Sequence, residues 1–171
     1  MPTVSPNLNL NLSIAGDIQM AADIGALRKS INWPAMQPLI SFVGGTGANQ
    51  MDSWFDDIRT LASAANETLD INGGLTDGFG NTVAIAHVKL MALLGDPANT
   101  TDITVGAATN PFLFGMGGTT PTLTLKPGGL ILLTEPKLGF PSANGSSDAL
   151  KLTNASGAAA NYSILIGGTS T

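Results

Sequence analysis

The 171-residue chain contains no cysteine, a single histidine and a single tyrosine, and only 11% of its residues are charged. The absence of cysteine removes disulfides, thiolate metal sites and Cys nucleophiles together. One histidine cannot assemble a His-rich metal site, and a Ser-His-Asp arrangement would have to be built around His87 alone. The Gly-x-Ser-x-Gly elbow that would announce such an arrangement is missing. Charge is less than half the usual quarter of residues. The seven cations, Arg28, Lys29, Arg59, Lys89, Lys126, Lys137 and Lys151, are scattered. No Lys/Arg stripe offers a footprint for a phosphate backbone, so direct nucleic-acid binding is not expected. No run reaches about 18 consecutive apolar residues, which argues against a transmembrane helix. The amino terminus lacks the basic start and apolar stretch of a signal peptide.

In place of charge the chain carries 43 Thr, Ser and Asn residues against 19 charged ones, with a net charge of −5. Thr favours strands, and Asn and Gly supply turns. A surface poor in charge also suits packing on neighbours, because interface centres are depleted of charged residues. Six Asn-x-Ser/Thr triplets, at Asn11, Asn66, Asn99, Asn144, Asn154 and Asn161, are read as the chance product of this composition.

The clearest positive signal is alternation. Asn7 to Ile14 places Leu8, Leu10, Leu12 and Ile14 on one face and polar residues on the other, as a half-buried strand requires. Similar patterns mark strands at 39–43, 67–71, 102–105, 111–114, 122–125, 130–134, 150–153 and 162–166. In 82–94 the longest apolar run suits a central strand buried on both faces. Residues 51–65 show apolar spacing compatible with a helix but lead into an alternating segment, and are read as strand. Asp17 to Ser30 reads as a short helix with Asp17 as N-cap, ended by Asn32-Trp33-Pro34. Asn72-Gly73-Gly74, Asp77-Gly78-Phe79-Gly80-Asn81, Lys126-Pro127-Gly128-Gly129 and Asn144-Gly145 read as turns. Nine or ten short strands without room for crossover helices predict an all-β, antiparallel sandwich of jelly-roll type, with at most one or two short helices in the first third. The expected division is an amino-terminal strand or arm with its linker over 1–35, and a sandwich over 36–171.

Candidate chemistry is sparse. His87 is expected to be structural or exposed. Asp52, Asp56 and Asp57 beside Trp54 and Phe55 have the composition of a glycosidase acid pair, but a solvated acidic turn accounts for them more simply; the Asp-x-Asp-x-Asp-Gly pattern for Ca²⁺ is absent. The two glutamates, Glu67 and Glu135, lie beside strands. Gly44-Gly45-Thr46-Gly47 and Gly115–Thr120 lack the Lys-Ser/Thr that follows a phosphate-cradling loop. Phe112, Phe114 and Phe140 would form a sugar-binding platform only if exposed together, and core burial is expected, with Phe112 and Phe114 on one face. No catalytic, cofactor-binding or metal-ligating residue is assigned.

Several segments resemble small virion proteins of tailed bacteriophages. They are Asp57-Ile58-Arg59-Thr60-Leu61, Leu69 to Gly80, Thr104 to Phe112, Leu125-Lys126-Pro127-Gly128-Gly129 and Leu150-Lys151-Leu152-Thr153-Asn154. The resemblance spans residues 40 to 168 and lies in strand and turn patterns. It implies an all-β, non-enzymatic protein without cofactors, most similar to capsid decoration (cement) proteins. The implied partners are further copies of the chain, as a trimer, and the major capsid protein, on the outer surface of the head. A tail or fibre component is the alternative within that class, and a carbohydrate-binding sandwich the alternative outside it.

Overall fold

A computed structural model describes residues 8–10, 15–20, 27–32, 40–155 and 157–171, and the structural statements that follow concern these residues. They contain strands and no helix. In chain order the strands are β1 (Leu8–Leu10), β2 (Ala15–Met20), β3 (Leu27–Asn32), β4 (Ile40–Gly44), β5 (Gln50–Met51), β6 (Ser53–Leu61), β7 (Asn66–Asp70) and β8 (Asn72–Thr76). They continue with β9 (Thr82–Ala84), β10 (His87–Gly95), β11 (Ile103–Gly106), β12 (Thr122–Leu125), β13 (Leu130–Thr134), β14 (Phe140–Pro141), β15 (Ala149–Thr153) and β16 (Ala160–Thr169).

Two antiparallel sheets dominate. One has the order β13-β10-β16-β6, with β14 also on β10, and the other the order β12-β11-β15-β7. Apolar residues from both form one buried cluster, including Phe55, Leu69, Met91, Leu93, Val105, Leu125, Leu152, Ile164 and Ile166. Alternation explains the sorting: Ile164 and Ile166 enter this cluster while Leu165 between them faces the other way. There it packs with Ile40, Phe42, Met51 and Leu90 in a second cluster under β4 and β5. β1 extends that small layer, pairing Leu8 with Phe42 and Leu10 with Ile40. The all-β sandwich expected from the sequence is therefore the architecture observed.

β10 carries both layers. Val88, Lys89, Leu90 and Met91 are all buried, as the expectation of a doubly covered central strand required. A bulge between Val88 and Leu90 inserts Lys89 as an extra residue. Its ammonium donates to the carbonyls of Gly47 and Gln50, holding the β4–β5 loop against the sheet.

Three local expectations are corrected. Asp17 to Ser30 is not helical where it is described: β2 and β3 pair antiparallel, from Ala15 opposite Asn32 to Met20 opposite Leu27. Asp17 and Gln19 alternate with Ile18 and Met20, a period of two, and a helix would also have carried Gly25 at a cost of about 1 kcal/mol relative to Ala. Residues 111–114 are not a strand. Pro111 makes an isolated bridge to Ala149, and Phe114 (φ 53°) with Gly115 (φ 73°) turns the chain through the left-handed region. Asn72-Gly73-Gly74 is not a turn but the irregular start of β8, where the register to β9 shifts between Asn72 and Leu75. The expected strand over Asn7–Ile14 is seen as β1, and its remaining residues lie outside those described, as do Trp33 and Leu39.

Gly168 shows how closely these strands approach. A Cβ there would lie 2.0 Å from the His87 carbonyl oxygen and 2.7 Å from the Ile85 side chain. Gly168→Ala is expected to lower stability by roughly 1–3 kcal/mol through overpacking, read as a lower urea midpoint with an unchanged slope.

Candidate functional site

The sequence candidates do not converge. His87 opens β10 opposite Pro141 and Thr169, where neither neighbour offers a carboxylate. Asp52 accepts hydrogen bonds from the Ser170 backbone (2.8 Å) and hydroxyl (2.6 Å), so it pins the end of the chain. Asp56 and Asp57 are consecutive on β6 and therefore point to opposite faces, which prevents them from sharing a substrate. The acidic turn expected around them is a strand. A shallow, open depression at the β6 edge is lined by Asp56, Asp57, Ile58, Ser163 and Ile164, with its two acids on opposite faces of the strand.

The Gly44–Gly47 loop has the wrong polarity for phosphate. Gly47 and Gln50 present carbonyl oxygens to Lys89, where an anion cradle would present N–H groups. Gly115 lies against the Phe140 ring, 2.7 Å from a notional Cβ. Phe112 and Phe114 are buried edge to face, with centroids 5.2 Å apart at 66°. Phe140 packs on the same core, so no aromatic platform is formed by these three. Among the described residues no group of three His, Cys, Asp or Glu side chains is placed to hold a metal. Among the described residues no helix is long and apolar enough to cross a membrane.

A charged cluster among the described residues joins side chains that no local sequence pattern associates. Arg59 on β6 donates to Glu67 Oε2 on β7 at 2.7 Å, and the Tyr162 hydroxyl on β16 donates to Glu67 Oε1 at 2.8 Å. Arg59 Nε is 3.0 Å from Asp57 Oδ2, close enough for ion pairing but out of line for a hydrogen bond. The guanidinium also sits 5.6 Å from the centre of the Phe55 ring. β6 and β7 are edge strands of the two sheets. The cluster thus fastens the sandwich along one shared edge.

Its electrostatics are those of a clasp. Burial, with the adjacent Glu67 acceptor and charge, raises the Tyr162 pKa well above its ordinary 10.0. Burial opposes the Arg59 charge, but the hydrogen bond and charge of Glu67 outweigh it and raise its pKa. Both Glu67 oxygens are engaged by Arg59 and Tyr162, so this carboxylate is poorly placed to act on a substrate. Alternation could have revealed that Glu67 shares a face with Leu69, and Tyr162 with Ile164. The meeting of β6, β7 and β16 required the strand order.

Compared with protein-family models, with curated proteins and with solved structures, the chain matches none.

Because Tyr162 is the only tyrosine, its titration can be read directly. A folded-state pKa raised above 10.0 means that its contribution is full below that pH and is lost as pH rises beyond it. Lys89, whose pKa burial lowers, acts in the opposite sense. Tyrosinate absorbance is expected to appear only with alkaline unfolding. Tyr162→Phe should lower stability near neutrality by about 1–2 kcal/mol and flatten the alkaline decline relative to the parent chain. Tyrosinate formation while circular dichroism remains native would contradict this.

Proposed function

We propose that this is a non-enzymatic structural protein of a tailed-phage virion, a decoration protein that binds the major capsid protein lattice on the outside of the head as a homo-oligomer, most simply a trimer. The resemblance of its strand and turn segments supports the phage reading. The observation that carries the assembly reading is an uncovered apolar row. On the outer face of the β13-β10-β16-β6 sheet, Ile58, Ser163, Leu94 and Leu130 are direct cross-strand neighbours. Ile58 is 80%, Leu94 45% and Leu130 57% exposed. The next row is half-covered, since Leu165 and Leu132 pack under β4 and β5.

An exposed apolar row without a charged member is suited to burial against a protein neighbour. Many copies on one lattice gain avidity, so each contact can be modest. Phe112 and Phe114 are buried and Asp56 and Asp57 diverge, so these four residues supply neither a sugar platform nor a paired acid.

Native mass is expected to show a discrete oligomer, and the protein should bind phage heads prepared without it. Leu94→Ser combined with Leu130→Ser should weaken self-association or head binding while leaving the circular dichroism native. A monomer that ignores heads would refute the proposal, and a labelled copy imaged on virions distinguishes head from tail. Deleting residues 1–15 removes β1 from the edge of β4; the expected result is weaker assembly with the sandwich still folded. Unchanged oligomer mass together with unchanged head occupancy would exclude a role for the arm.

A further inference from the structure

The geometry points to Asn144-Gly145 as a self-modifying site: a turn in which the Asp148 carboxylate promotes deamidation of Asn144, loosening the joint that seats the β8–β9 hairpin. Asn144 and Gly145 are exposed, in the turn between β14 and β15. Gly145 has φ 73°, and its missing Cβ leaves its nitrogen open to approach. That N–H donates to Asp148 Oδ2, and Asp148 is itself only 6% exposed. The turn is held from both sides: Ser146 N and Ser147 N donate to the Ala143 carbonyl at 2.9 Å, and Asn110 Nδ2 donates to the Gly145 carbonyl at 2.8 Å. The nucleophile and a base are thus kept together beside an exposed amide.

The chemistry needs only water. Asp148 takes the proton from Gly145 N as that nitrogen attacks Asn144 Cγ. A new N–Cγ bond closes a succinimide, the Cγ–Nδ2 bond breaks, and ammonia leaves with the proton that Asp148 returns. Water then opens the ring at either carbonyl, giving aspartate or isoaspartate.

The modification has a structural consequence because Asn144 is half of a joint. Its Nδ2 donates to the Asn72 carbonyl at 2.9 Å, while Asn72 Nδ2 donates to the Ser142 carbonyl at 3.0 Å. Conversion replaces the donor with an anionic oxygen facing a carbonyl oxygen, so a hydrogen bond becomes a repulsion. Asn72 belongs to a second Asn-Gly pair, with Gly73, but it is half-buried where Asn144 is exposed. Asn144 is therefore converted first.

The folded protein, incubated near neutral pH and followed by peptide mass spectrometry, tests this. Asn144 should gain the mass of OH for NH2, with an isoaspartate fraction. It should do so faster than in the same chain unfolded in guanidinium, by up to about 10²-fold, the lower end of what a positioned base supplies. Asn72 should react more slowly folded than unfolded. Asp148→Asn should abolish the acceleration; should that variant fail to fold, the comparison of folded and unfolded parent chains still decides. Conversion of Asn144 no faster in the folded state would overturn the proposal. In the converted fraction, amide exchange over residues 72–84 should rise, and unchanged exchange there would overturn the role of the joint.

Discussion

The main core and the small β4–β5 layer both rest on the pairing of β10 with β16. The ladder runs from His87 opposite Thr169 to Gly95 opposite Tyr162, and β16 is paired along its other edge with β6. Because neighbouring residues face opposite layers, a slip of one position would send Ile164 and Ile166 out of the main core and Leu165 into it. The bulge at Lys89 secures the register. Only with this extra residue in place does the ammonium reach the Gly47 and Gln50 carbonyls, and through them the loop that joins β4 to β5. A buried cation without a carboxylate in contact is costly. The carbonyls offset part of that cost, and burial still lowers the lysine pKa. The position trades stability for a fixed connection between layers.

The acidic groups follow a related logic. Asp70 accepts the Asn72 N–H, Asp77 those of Phe79 and Asn81, Asp96 that of Ala98, and Glu135 those of Lys137 and Leu138. Each carboxylate closes a turn with its own nearby backbone, the usual use of Asp in strand-rich chains. At Asp77 the bonds from Asn81 and Phe79 lower the pKa of an exposed group, which keeps the hairpin tip charged and ordered. Part of the negative balance of the chain, four of its twelve acids, is thus a by-product of making turns. It need not be read as an electrostatic field for a substrate.

Strand existence is legible where one face is buried and the other wet, as in β7, β12, β15 and β16, or where both faces are covered, as in β10. The misreadings share a cause. Asp17 has the chemistry of a helix cap inside a short alternation, and at Asn72-Gly73-Gly74 glycines that resemble a turn only relax a ladder. Phe112 and Phe114 have strand spacing, yet their rings meet across an irregular loop. The edge clasp was less visible still. Glu67 and Tyr162 each lie on an alternating segment, but they are 95 residues apart, and only the order of strands brings them together with Arg59. Turn chemistry is local and readable, whereas sheet order is set by which faces can be buried simultaneously.

The two outer faces of the sandwich differ in a way that bears on assembly. Across the β12-β11-β15-β7 sheet, Thr124, Thr104, Thr153 and Asn66 form a continuous row of direct neighbours. Their hydroxyl and amide groups hydrogen-bond water readily and lose little by remaining wet. Across the other sheet the corresponding row is Ile58, Ser163, Leu94 and Leu130, which gains from losing water. Neither row contains a charge, so neither would have to desolvate an ion on contact. A block with one face that sheds water and one that keeps it has a preferred way round when copies pack. In the proposed decoration shell, that asymmetry would turn the Ile58–Leu130 row towards protein and leave the threonine row facing solvent.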